Sequence, residues 1–477
     1  MATAGDRPAG VSPVVTAACV LAGIALLAAG SAPFQAVPPQ VTVWGTALAL
    51  FALGFYGFRV SSRLGDHPWF APLCLSPAFF FFKYGWGCLV AFYWGSARWE
   101  VFPELRTYFY RFGVWDNLPT TCRLFLLGGI GLFLGASLGG GPVARALSRL
   151  NWAVSPEKLK HNVALVSPAI LLVYSFLWVR TGGVLPYSVV ALASIIDGLT
   201  VLAGYYCFSA RRRVDQLKWA AFIALICALR LRTALSSGQM VPILTPVLML
   251  LFGYTLARRR MPWKWMALAL PLALFFALPF MALYKFVDTE GGIGDRLALA
   301  RQQFAITGYE ARLELALART LARLCGAQFP AVFAQYYPGV YPFDYGRSFL
   351  IEASGLVPRL LWHDKPEISP ELNRYSEGVG LVRADSGTSA VFDALSEYYV
   401  NFGALGVLLL FGFHGWYLAV IYDWLVRRGN YLVGSAVYLC LIPGNWDFFG
   451  IVNQLTSHVK LIPVWLALLY FMSRKTR

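Results

Sequence analysis

Residues 403–426 read GALGVLLLFGFHGWYLAVIYDWLV, and Arg427 and Arg428 follow at once. A helix needs roughly 20 predominantly apolar residues to cross the hydrocarbon core of a bilayer. A run of this length closed by paired arginines reads as a transmembrane helix that ends on the cytoplasmic side. The same reading carried outward finds further apolar runs near 13–31, 41–59, 71–95, 121–140, 162–180, 184–209, 217–232, 237–257, 264–286, 431–449 and 456–473. No clear small-residue cleavage signal follows the first run, so it is expected to be a retained helix and not a signal peptide.

The charges between the runs set the expected orientation. Arg59 and Arg63 follow the second run, and Arg145, Arg149, Lys158 and Lys160 follow the fourth. Arg211, Arg212 and Arg213 follow the sixth, Arg258, Arg259, Arg260 and Lys264 the eighth, and Arg474, Lys475 and Arg477 close the chain. Every second connection is basic, which predicts that these connections and both termini are cytoplasmic. The expected fold is an all-α polytopic membrane protein with about twelve transmembrane helices. Residues 1–286 would hold spans one to nine, 287–402 a large extracytoplasmic loop, and 403–477 spans ten to twelve. That loop is too long for a structureless connection, so it is expected to contain helices of its own.

Composition agrees with this reading. The 477 residues are 58% hydrophobic and 13% charged, with mean hydropathy +0.58, whereas soluble domains run nearer a quarter charged. A net charge of +16 would point to nucleic acid in a soluble chain. Here the basic residues sit in short clusters between apolar runs, so nucleic acid is not an expected partner. The eight cysteines are scattered, mostly within apolar runs, and no CxxC or Cys/His spacing appears. Neither a disulfide framework nor a zinc site is indicated. With no GxGxxG, Walker A or HExxH segment in the sequence, no metal or cofactor is expected.

Three stretches of the long loop carry candidate chemistry. In Glu310 to Arg323, charges and apolar residues alternate with helical spacing, and Arg312, Arg319 and Arg323 fall on one face. Such a stripe suits a phosphate, because the guanidinium fork donates two parallel hydrogen bonds and stays charged. It equally suits an amphipathic helix lying on anionic headgroups. The second stretch is Pro358-Arg359-Leu360-Leu361-Trp362-His363-Asp364-Lys365-Pro366, where prolines bracket four ionisable groups. His363 can accept a proton near neutral pH, while Arg359 and Lys365 can hold a phosphate. Asp364 and Lys365 can also simply pair with each other. In the third, Glu397 and Asn401 are four apart and share a helix face at the start of the tenth run. Within the runs, Lys83, Asp197 and Arg230 stand out, since charge at bilayer depth faces a cavity or a partner. A Lys83–Asp197 pair is one expectation.

The run from Pro358 to Pro366 resembles the "PR-x-x-W-x-D-K-P" segment of O-antigen polymerase-like (Wzy-type) proteins. Ser386-Gly387-Thr388, followed by Glu397-Tyr398-Tyr399-Val400-Asn401-Phe402-Gly403-Ala404-Leu405-Gly406, resembles the "T…GE-x-Y-x-NFG-x-x-G" pattern before a late helix of those proteins. Ser236-Ser237-Gly238 sits where many members carry a Gly/Ser–Arg turn, but Gln239 replaces the arginine. The likeness covers residues 225–425. It implies a GT-C-like membrane glycosyltransferase of the bacterial cytoplasmic membrane that needs no cofactor. Such an enzyme polymerises undecaprenyl-diphosphate-linked oligosaccharide repeat units into a surface polysaccharide on the outer face. The expected partners are that lipid-linked glycan, membrane lipids, a chain-length regulator and a flippase. His363 and Glu397 are then the catalytic candidates. Arg312, Arg319, Arg323, Arg359, Lys365, Arg230 and Asn401 are the candidates for binding diphosphate and glycan. An O-antigen ligase-like transferase and a polysaccharide or lipid transporter are the alternative readings.

Overall fold

The computed structural model describes residues 11–64, 66–67, 69–86, 88–89, 92, 113–150, 155–180, 187–237, 241–272, 280–281, 283–284, 293–311, 326, 328–357, 361–381, 393–441 and 450–473. Among the described residues the chain is helical, without strands. The first helices are α1 (Pro13–Ala29), α2 (Ala32–Gln35), α3 (Pro39–Arg63) and α4 (Pro72–Phe80), which continues into a π-helical turn, Phe81–Trp86. Next come α5 (Leu118–Leu138), α6 (Gly141–Leu147), α7 (Pro156–Arg180), α8 (Tyr187–Ser209), α9 (Arg213–Ser237), α10 (Val241–Arg258) and α11 (Trp263–Leu272). Among the described residues of 287–402 lie the helices α12 (Ile293–Ile306), α13 (Gln328–Tyr336), α14 (Arg347–Ser354) and α15 (Ile368–Gly378). The chain ends with α16 (Ala394–Tyr422), α17 (Tyr431–Leu441) and α18 (Ile451–Ser473).

Four of these helices are long and apolar enough to cross a membrane: Pro39–Arg63, Leu118–Leu138, Glu157–Leu177 and the run Ala394–Arg427. The apolar helices Pro13–Ala29, Ile243–Arg258 and Tyr431–Leu441 are shorter. Outward-facing residues fit a lipid solvent. Trp44, Leu48, Phe51 and Phe55 on α3, and Leu405, Leu409 and Phe413 on α16, form exposed apolar stripes at helical spacing. In water such stripes would drive association.

Contacts divide the chain into two compact units. The first takes residues 1–150, 321–428 and 444–460, and the second 151–320, 429–443 and 461–477.

In the first unit, α5 and α16 approach to backbone contact. A Cβ on Gly135 would lie 1.8 Å from the Gly412 carbonyl oxygen, and one on Gly415 would lie 2.2 Å from that of Leu132. Small residues on facing ridges allow this, and apolar helices in lipid are held together by such packing. Above it, Phe80, Tyr84, Phe125, Tyr398 and Phe411 build the centre of a buried core.

In the second unit α8 is the centre, with α7, α9 and α10 against it, and Leu171, Tyr174, Ile196 and Ile226 forming a core cluster. Asp197 accepts a hydrogen bond from Arg230 Nη2 at 2.5 Å. This corrects the expectation of a Lys83–Asp197 pair: helix α9 brings Arg230 to Asp197, and Lys83 lies in the first unit beside Asp393. Arg230, proposed from sequence as a substrate contact, is 7% exposed, and its guanidinium also lies over the Tyr174 ring.

Candidate functional site

The tenth apolar run begins where its sequence suggested, but the helix starts earlier. Asp393 caps it, accepting from the Ser396 amide at 3.0 Å, as a side-chain oxygen at an N-cap does. Two turns later Phe402 (φ −139°) and Gly403 (φ 64°) break the helical path. Gly403 takes the left-handed conformation that glycine tolerates best, and the Phe343 ring lies 3.0 Å from where a Cβ would be. Residues 394–401 thus form a short helical platform before the long apolar rod.

Glu397 and Asn401 are adjacent on that platform, as their spacing predicted. Asn401 Nδ2 donates to the Glu397 carbonyl oxygen at 2.8 Å and to Ser348 Oγ at 2.8 Å. Ser348 Oγ in turn donates to Glu397 Oε1 at 2.7 Å. The Gly346 amide donates to Asn401 Oδ1 at 2.7 Å, and the Asp344 and Tyr345 amides donate to the carbonyls of Val400 and Asn401. Helix α14 is thereby bonded to the platform, with Tyr345 held at φ 47° in the connection.

One turn after Ser348, α14 presents Glu352, which is 3% exposed. Its Oε2 accepts from the Asn453 amide at the start of α18 at 3.0 Å. Gly450, just before α18, lies against both carboxylates. A Cβ there would fall 1.7 Å from Glu397 Oε2 and 3.4 Å from Glu352 Oε2. The two oxygens are therefore no more than about 5 Å apart, a separation at which two carboxylates disfavour each other's ionisation. Burial pushes the Glu352 carboxyl up to about 7, although its bonds with Asn453 pull the other way. At neutral pH Glu352 is poised to take or release a proton.

A cation stands near the start of the platform. Tyr84 donates to Asp393 Oδ2 at 2.6 Å, and Lys83 Nζ lies 3.8 Å from the same oxygen. The π-helical turn of 81–86 carries both groups, and such turns recur at functional sites. Tyr398, next to Glu397, accepts from the Ile451 amide at 2.8 Å and reaches His414 Nδ1 at 3.4 Å.

The other sequence candidates are distributed differently. His363 is exposed in the turn at 361–364 and carries no part of this network. Lys365 folds back on its own segment, donating from Nζ to the Val357 carbonyl at 3.1 Å instead of pairing with Asp364. Arg312, Arg319, Arg323 and Arg359 lie outside the described residues. Glu352, Ser348, Asp393 and Tyr84 were missed. Ser348 and Glu352 share the four-residue spacing of Glu397 and Asn401, and that pairing was the available signal. Among the described residues no group of three or more His, Cys, Asp or Glu side chains is placed to hold a metal ion.

The fold and site define an all-helical protein with helices able to cross a membrane and a buried carboxylate pair beside the break before one of them. The chain belongs to the family described as a domain of unknown function (DUF8712), which matches residues 142–447. No curated protein and no solved structure matches it.

Proposed function

We propose that this protein is a polytopic membrane glycosyltransferase that polymerises oligosaccharide repeat units carried on undecaprenyl diphosphate, at the outer face of a bacterial cytoplasmic membrane. In this reading the chain crosses the membrane about twelve times, both termini are cytoplasmic, and residues 287–402 face outward. The observation that carries it is the meeting of the buried Glu397 and Glu352 carboxylates at Gly450, with Ser348 and Asn401 bonded to Glu397, at the break before an apolar helix. This segment is also the one that resembles the Wzy-type proteins.

The chemistry asked of it is simple. A sugar hydroxyl of one lipid-linked unit attacks the anomeric carbon of another, and the bond from that carbon to the diphosphate oxygen breaks. The hydroxyl proton passes to a base, and undecaprenyl diphosphate leaves as an anion. An ionised carboxylate within reach of that hydroxyl suits the first need. Glu397 takes that role beside Glu352, and Ser348, itself held by Asn401, fixes the carboxylate's orientation. The arginines at 312, 319, 323 and 359, with Lys365, supply positive charge for the leaving diphosphate, where charge-assisted bonds strengthen as the anion develops. His363, exposed and apart from this network, is the weaker candidate for base.

A second reading is favoured by one observation. Tyr398, the residue after Glu397, reaches the buried His414 within α16 at 3.4 Å, and buried carboxylates and histidines inside membrane helices also serve proton-coupled transporters. The glycan made by cells from which the gene is deleted separates the two. Single repeat units on the lipid acceptor, with polymer length restored by the wild-type gene, support the polymerase. Loss of all surface glycan, with units retained inside, supports transport.

A further inference from the structure

In the second unit, α7 and α9 both pack on α8 and leave a groove of about 690 Å³ between them. Its lining is sorted by depth. Glu157, Lys160 and His161 in the first turns of α7, and Asp215 and Lys218 in the first turns of α9, make one polar end. Beyond them Ala164, Pro168, Phe222 and Leu225 make an apolar trough, with Trp219 as its back wall, stacked 5.2 Å from Tyr206 of α8. The sorting follows from helix geometry. Positions 157, 161, 164 and 168 share one face of α7, and 215, 218, 222 and 225 share one face of α9. Pro168, inside α7, removes a backbone donor there.

Charge decides what fits. Lys160 pairs with Asp215 at 3.4 Å with both side chains more than a third exposed, so this pair contributes little and yields easily to a competing anion. Lys218 and His161 share the rim, Arg211, Arg212 and Arg213 are exposed at the start of α9, and Lys158 lies in the first turn of α7. Against these cations stand only Glu157 and Asp215 in the two first turns. An apolar trough with a cationic mouth matches an amphipathic anion. Basic pockets between membrane helices on the cytoplasmic side suit anionic headgroups.

The geometry points to a binding site for one anionic glycerophospholipid, its phosphate at Lys160 and Lys218 and its acyl chains along Ala164, Pro168, Phe222 and Leu225. The site does not depend on the glycan chemistry proposed above. Native mass spectrometry of the full-length protein in neutral detergent, with phosphatidylglycerol or phosphatidylcholine added, tests it. Wild-type protein should retain one phosphatidylglycerol in preference to phosphatidylcholine. Removing a cation near an anionic lipid costs roughly 5-fold in affinity, so the double variant Lys160→Gln, Lys218→Gln should bind about 25-fold more weakly. Ala164→Trp should block the trough and abolish retention with the charges intact. Millimolar inorganic phosphate should leave the adduct in place. Equal retention of both lipids by wild type, undiminished retention by either variant, or displacement of the adduct by phosphate alone would overturn the assignment.

Discussion

Glu352→Gln removes a titratable proton from the buried pair while keeping an acceptor for the Asn453 amide. The Glu352 carboxyl stands at about 7 in the folded protein against 4.5 in the open chain. A raised carboxyl binds its proton more tightly when folded, so ionisation works against the fold. Below 4.5 both states hold the proton and the group has no effect; between 4.5 and 7 stability falls as pH rises; above 7 the loss is complete. Each tenfold gain in proton affinity on folding is worth about 1.4 kcal/mol, so the full loss is about 3 kcal/mol. Glutamine removes that loss. The variant should gain under about 1 kcal/mol near pH 5 and about 3 kcal/mol near pH 8 relative to wild type. The assay is thermal unfolding of the full-length protein in detergent, followed by the fluorescence of its 16 tryptophans, at half-unit steps from pH 5 to 8. The expected result is a stability difference that widens with pH. Parallel curves for the two proteins would refute the reasoning, because Glu352 would then ionise in the fold as it does in water.

Other substitutions probe the remaining contacts. Gly450→Ala puts a methyl group 1.7 Å from Glu397 Oε2, so it should abolish polymer formation in a glycan-length gel while Gly308→Ala, at a site with open space, leaves it unchanged. Arg230→Leu leaves Asp197 buried without its cation and should lower stability by about 3–5 kcal/mol; adding Asp197→Asn should restore part of it in a double-mutant cycle by thermal unfolding. A cysteine at Gly308 should label with a membrane-impermeant reagent in intact spheroplasts, and one at Arg259 should not; the opposite pattern would invert the proposed orientation. Arg312→Ala and Arg319→Ala should each lower polymerisation about 100-fold at unchanged abundance, the cost of one lost contact to a developing anion.

The long helices were legible because each is a sustained apolar run with punctuation at its ends. Residues 41–59 became Pro39–Arg63 and 121–140 became Leu118–Leu138. The start of the tenth run at 403 was legible too, although what lies there is a break at Phe402–Gly403 and not a helix start. A cap at Asp393 and a platform of mixed polarity extend the helix backwards, and neither alters an apolar average. The adjacency of Glu397 and Asn401 followed from helical periodicity. Their partners did not, since Ser348 and Glu352 are about 50 residues away in sequence and meet the platform only through tertiary packing. Long-range pairing of charges was equally hidden. Lys83 meets Asp393 across 310 residues, and Asp197, for which Lys83 was one possible partner, pairs with Arg230. The glycine contacts of α5 with α16 were unread because the same glycines also fit a helix that faces only lipid.

Reconstitution tests the central claim most directly. Lipid-linked repeat units extracted from gene-deleted cells would be mixed in vesicles with purified full-length protein, and the products separated by chain length. Wild-type protein should convert single units into a ladder of longer chains and release undecaprenyl diphosphate in step with each added unit. Glu397→Gln protein, matched for amount and thermal stability, should leave the single units unchanged. A wild-type reaction without longer chains, or a ladder of normal length from Glu397→Gln, would contradict the account.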